Sequence, residues 1–160
     1  MPLLRVNLMK KLLQKLQSNN LQRGQSLVEM SVGLVVLLIV LSGLLDVGRA
    51  FYIYVGLEDG AGEAALYLSI NPGCRTATDG PQCANPNNAE YRARNAGGEN
   101  IDWSSATITI VRPPVYGVGD PVKVTIQYQL KLLTPFMPRF AGVNPISLKT
   151  EATQTIIRET

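Results

Sequence analysis

Nineteen consecutive residues, Leu27 to Leu45 (LVEMSVGLVVLLIVLSGLL), carry a single charge, Glu29. Wound as an α-helix at about 1.5 Å per residue, the run is roughly 28 Å long, close to the ~30 Å hydrocarbon core of a bilayer. It is too long and too uniformly apolar for a buried helix of a soluble domain. A secretory signal has a shorter apolar region, about 7–15 residues, and ends in a small-residue cleavage site. This run ends Ser42-Gly43-Leu44-Leu45-Asp46, which is no such site. The reading is a retained membrane helix, with lipid as its surroundings.

Charge placement orients it. The chain of 160 residues has 15 Lys+Arg, 12 Asp+Glu and a net +3. Residues 1–24 hold Arg5, Lys10, Lys11, Lys15 and Arg23 and no acid, so +5, while the rest holds 10 basic and 12 acidic residues, so −2. The basic character is local to the segment before the helix. It therefore argues for topology rather than for a nucleic-acid partner. The positive-inside rule places the N-terminus in the cytoplasm and residues 47–160 outside, on a single-pass protein.

Past the membrane the helix is expected to continue. Val47, Phe51, Tyr54, Leu57, Ala61, Ala64 and Leu68 recur every three or four residues, which predicts one helix from about Ser26 to Leu68 or 70. Gly56, Gly60 and Gly62 each weaken such a helix by about 1 kcal/mol relative to Ala. Close approach of another helix explains them; so does a local break. Asp46 and Arg49, three apart where the helix leaves the membrane, form a candidate membrane-exit pair. They suit a pair on one helix face, an interfacial anchor or contact with a partner helix.

Asn71-Pro72-Gly73 ends the helix. A loop over 71–88 contains both cysteines, Cys74 and Cys83. In an extracytoplasmic segment with Pro72, Gly73, Gly80 and Pro81 to turn the chain, they are expected to form a disulfide, with two buried thiols as the alternative. Closing this ten-residue loop is worth about 2.5–3 kcal/mol in the chain-entropy account. Asn88 suits the N-cap of a short helix, Ala89 to Asn95, with Gly97 after it. The last third alternates as strands do. Residues 105–111, then 122–131, then about 146–157 predict a three- or four-stranded antiparallel sheet over 105–157. Leu133 to Pro145 reads as an irregular loop with apolar residues. The fold class is α+β, with the sheet packed on the helix.

Arg23-Gly24-Gln25-Ser26-Leu27-Val28-Glu29 is the most informative string. A basic leader ends in glycine, and an apolar helix follows with one acid five residues on. This resembles the prepilin signal of type IV pilins and pseudopilins. The resemblance implies cleavage between Gly24 and Gln25 by a prepilin peptidase, which leaves a mature chain of 136 residues. It also implies that Glu29 serves subunit assembly by pairing with the amine of a neighbouring subunit. A carboxylate at mid-membrane costs about 2.5–3.5 kcal/mol, so an acid in this run calls for a function. Snorkelling to the headgroups is the plainer account.

Gly24 to Glu29 (GQSLVE), the apolar run and Leu45-Asp46-Val47-Gly48-Arg49-Ala50-Phe51-Tyr52 together resemble the TadE-like family of the tight-adherence (Flp) pilus system. Asp102-Trp103, the alternating strands and Leu133-Thr134-Pro135 are similar in the tail. The resemblance implies a minor pilin or pseudopilin, with other pilin-like subunits and the assembly platform as partners, the cytoplasmic (inner) membrane as its location and the surface pilus as a further one. Met30 stands where the major Flp pilins usually carry an aromatic residue, which argues against that class. Asp59 to Glu63 lacks the arginine that relatives commonly have there.

Nothing in the composition favours an enzyme. There is no histidine, which removes Ser-His-Asp and Cys-His nucleophiles and every His-containing zinc site. Two cysteines do not make a four-cysteine metal site, and no glycine-rich phosphate loop is present. No cofactor, metal or small-molecule substrate is expected. The organisation expected is a leader (1–24), a membrane helix (25–46) and an outer α+β domain (47–160). The rival function is a single-pass adhesin or receptor module whose helix is only an anchor. Trp103 and the tyrosines suit core packing better than a carbohydrate-binding face.

Overall fold

The computed structural model describes residues 2–134, 142 and 145–158. The chain forms two compact units, Met1–Leu44 and Leu45–Thr160. Its elements run helix α1 (Pro2–Ile70), helix α2 (Ala89–Gly97), and strands β1 (Ala106–Val111), β2 (Pro121–Leu130) and β3 (Ile146–Thr155). This is the α+β arrangement expected, with three strands. Most of the Leu133–Pro145 loop lies outside the described residues.

The first unit is helical. Among the described residues, one helical stretch is long and apolar enough to cross a membrane, Gly24–Ile70, and none of its most apolar window is buried. A soluble core helix would bury that window; its exposure is consistent with a single-pass membrane anchor. The few hydroxyls in the run are satisfied locally. Ser31 donates to the Leu27 carbonyl at 2.8 Å and Ser42 to the Ile39 carbonyl at 2.8 Å. Such back-bonding spares a polar group from facing hydrocarbon unpaired.

In the second unit, the helix face toward the core is Asp46, Ala50, Ile53, Leu57, Ala61, Ala64 and Leu68, spaced three or four apart and buried or half-buried. The first half of this face differs from expectation. Val47, Phe51 and Tyr54 are exposed. The periodic stripe begins with an acid, so a count of apolar residues alone starts it on the wrong residue. β2 is the central strand, antiparallel to both neighbours. Val122, Val124, Ile126, Tyr128 and Leu130 face the core from it, and Lys123, Thr125, Gln127 and Gln129 face away. Register places Ile108 and Thr150 on either side of Ile126. The Thr150 hydroxyl donates to the Leu57 carbonyl at 3.2 Å, so the sheet is also hydrogen-bonded to α1.

α2 explains two of the three helix glycines. A Cβ on Gly56 would stand 2.7 Å from the Gly97 carbonyl oxygen, and one on Gly60 would stand 2.6 Å from the Ala93 carbonyl oxygen. Both are backbone atoms, which cannot swing away. Nothing lies within 4 Å of Gly62. Close approach, not a break, is therefore the reason for the first two, and α1 continues through all three. α2 also ends later than its composition suggests. Gly97 is its last residue, pressed against Gly56 and Trp103, and Gly98, at φ +90°, makes the turn out. The second glycine takes the left-handed conformation because the first is needed for contact.

Candidate functional site

The residues singled out from sequence fall into three groups, one in the first unit and two in the second. In the first unit, a Cβ on Gly24 would meet nothing within 4 Å beyond its own helix, and Gln25 and Glu29 are exposed. The Gln25 side-chain amide donates to Glu29 Oε1 at 3.2 Å, one helical turn away. The acid at the head of the apolar run thus already has a local donor, held by i, i+4 geometry. The structure brings the Gln25 and Glu29 side chains together, with the Gly24–Gln25 bond inside helix α1.

The second group surrounds Asp46. Its carboxylate is buried, with the residue 3% exposed, and takes three hydrogen bonds from one segment. The Leu133 amide donates at 3.0 Å and the Thr134 amide at 3.2 Å; the Thr134 hydroxyl donates to the same oxygen as the Thr134 amide. Arg49, one turn further, donates from Nη1 to the Lys131 carbonyl at 2.9 Å. Asp46 and Arg49 therefore work together, but through the 131–134 segment and not by binding each other. A buried carboxylate is tolerable only with such donors, and charge-assisted hydrogen bonds are the strong ones. The clamp ties the start of the outer domain to the end of its central strand. The sequence singled out Asp46 and Arg49, and Leu133-Thr134 as part of the similar tail, but not the contact between them. The available signal was an acid at the head of a buried stripe, which demands a partner.

Cys74 and Cys83 are joined as a disulfide, with Cα atoms 5.1 Å apart. The bridge holds the connection between α1 and α2. The Ala89 and Glu90 amides donate to the Cys74 and Arg75 carbonyls, at 3.0 Å each, and Asn88 caps α2 by accepting from the Tyr91 amide at 2.8 Å. Within the loop, burial disfavours a charge on Asp79. The amides of Thr76 and Arg75 and the Arg75 guanidinium outweigh that, and its carboxyl stays below the usual range.

Small clefts lie beside this loop. One of about 290 Å³ is lined in part by Arg75, Asp79 and Glu90. Its charges are already spoken for, since Arg75 pairs with Asp79 at 3.1 Å and Arg94 with Glu90 at 2.6 Å. Among the described residues, no group of three or more His, Cys, Asp or Glu is placed to hold a metal. Trp103 packs on the core and donates from Nε1 to the Gly98 carbonyl at 3.2 Å. It is a packing residue, not part of an open aromatic face.

The apolar helix and the residues that flank it are therefore what the chain presents. Residues 24–66 match the family model described as TadE-like protein. The TadE-like segment starts at Gly24, includes Gln25, Glu29, Asp46 and Arg49, and stops before the disulfide loop. The similarity noted in the tail lies beyond that match, and its Pro135 lies outside the described residues. No curated protein and no solved structure matches the chain. A TadE-like segment on a helix able to cross a membrane fits a membrane component associated with tight-adherence pili.

Proposed function

We propose that this chain is a minor pilin or pseudopilin of a tight-adherence pilus or related secretion apparatus, acting by assembly and not by turnover. The observation that carries the reading is where the TadE-like match begins: at Gly24, the residue that closes the basic leader and precedes Gln25 and Glu29. In this reading the leader is residues 1–24, the membrane helix residues 25–46 and the outer domain residues 47–160. A prepilin peptidase on the cytoplasmic side cuts after Gly24. Glycine has no side chain to hinder entry of the backbone into a protease cleft. The new amine at Gln25 then lies beside the carboxylate of Glu29 or of a neighbour's Glu29. Opposite charges brought together in an apolar bundle neutralise one another, which lowers the cost of holding either there. Other pilin-like subunits and the assembly platform are the partners, in the cytoplasmic membrane and, on export, the surface pilus.

The test is expression with and without a prepilin peptidase, read by intact mass. Loss of residues 1–24 only when the peptidase is present, and its abolition by Gly24→Lys, is the expected result. An unchanged mass, or equal processing of Gly24→Lys, would overturn the processing step. Replacing residues 26–45 with an unrelated apolar helix separates assembly from mere anchoring, because an anchor alone would survive the exchange.

A further inference from the structure

We propose that the Asp46 clamp turns the end of β2 into a second membrane contact, with Leu133 seated in the headgroup layer of the bilayer the helix enters. The proposal rests on reading Leu27–Leu45 as the membrane span. Asp46 is the first residue after that span, and its carboxylate holds the Leu133 amide at 3.0 Å. Leu133 is therefore fixed within a few ångströms of the level at which the apolar run ends. The headgroup region is about 5–7 Å deep on each side of the hydrocarbon. A residue held at that level cannot avoid the lipid surface.

The side chains there suit such a surface. Leu133 is 69% exposed and Leu45 is 74% exposed, although both adjoin a well-packed core. One exposed leucine would need no explanation. This one is held in place by a buried carboxylate whose hydrogen bonds end on its own amide and on its neighbour. Lys131 is exposed, and Arg49 is partly so, with its guanidinium on the Lys131 carbonyl. Anionic headgroups would attract both cations at such a surface. An apolar residue flanked by cations is the composition of segments that lie in the membrane interface. The physical consequence is orientation: a domain attached at one helix end can tilt, whereas one also seated through Leu133 cannot.

The test uses the full chain in vesicles of phosphatidylcholine and phosphatidylglycerol. A single fluorophore is attached at Leu133→Cys, Val115→Cys or Leu38→Cys with the native disulfide intact. Val115 is exposed in the β1–β2 link, at the other end of β2 from the clamp. Leu38 lies inside the apolar run. Quenchers carried near the lipid headgroups should quench the probe at 133, quenchers carried on the acyl chains should quench the probe at 38, and iodide in the water should quench only the probe at 115. A probe at 133 that behaves like the one at 115, while the probe at 38 is quenched by lipid, overturns the proposal and leaves the membrane span standing. Failure of lipid quenching at 38 overturns the span itself, and the proposal with it. Asp46→Asn added to Leu133→Cys should reduce lipid quenching at 133 several-fold and leave the probes at 38 and 115 unchanged. Undiminished quenching would show that the clamp does not seat the contact.

Discussion

Asp46 and Thr134 lie 88 positions apart in the chain and meet through two hydrogen bonds, from the Thr134 amide at 3.2 Å and from its hydroxyl, both to Asp46 Oδ2. The other carboxylate oxygen takes the Leu133 amide. This contact closes the outer domain onto the start of its own helix. Removing the acid leaves the Leu133 and Thr134 amides and the Thr134 hydroxyl without their charged acceptor. Asp46→Ala should therefore lower the stability of the outer domain by about 2–3 kcal/mol. Denaturant unfolding in detergent micelles, followed by Trp103 fluorescence, measures it. A change within about 0.5 kcal/mol, as at an ordinary surface site, would contradict the clamp.

The helix glycines make opposite predictions. Gly60→Ala places a methyl 2.6 Å from a backbone carbonyl and forces α2 away, costing about 1–3 kcal/mol. Gly62→Ala meets open space and restores helix propensity, gaining about 0.5–1 kcal/mol. The same melting experiment on both variants reads the sign. Like signs would mean that α2 does not pack on α1 as described.

Reduction of the Cys74–Cys83 bridge, or its replacement by two serines, should cost about 2–3 kcal/mol by freeing a short loop in the unfolded chain. At about 4 °C per kcal/mol for a domain of a little over 100 residues, a fall in Tm of roughly 8–12 °C is expected. An unchanged Tm with reductant would show that the loop is held by its hydrogen bonds alone.

Acid should weaken the sheet through Glu151. Lys123 and Lys149, at 2.6 Å and 2.7 Å, pull its carboxyl down from 4.5 to about 2. A carboxyl lowered by folding stabilises the fold above its ordinary pKa, and that contribution is lost as pH falls through the folded value. The loss therefore falls between pH about 4.5 and about 2. The group is exposed, so the effect is small and screened by salt. Glu151→Gln should flatten this part of the stability–pH curve at low salt. A curve that keeps its slope in the variant would assign the acid sensitivity elsewhere, with Asp79 the next carboxyl to substitute.

Much of the architecture was legible because its signals are local. The apolar run, the alternating residues of β2 and the turn at Asn71-Pro72-Gly73 each act within a few neighbours, and the structure has a helix, a strand and a helix end there. The two cysteines lie nine apart, so their pairing needed little beyond a turn. The glycines were legible only as a question. A missing side chain is visible in sequence, but whether a second backbone fills the space depends on α2. Asp46 was noticed for its position and misjudged in its direction. Its partners lie 87 and 88 residues away, and only its register with the apolar stripe that follows signals that it faces inward.

By itself, then, the sequence determined the membrane-length helix, the charge asymmetry around it, the strand periodicity and the TadE-like segment from Gly24. These follow from composition and spacing over short distances. The tertiary structure alone decided which face of α1 is buried, that Gly56 and Gly60 admit α2 while Gly62 stays open, and that Asp46 grips the end of β2. Each of those depends on which distant backbone arrives beside a residue, and packing determines that only when the whole outer domain closes.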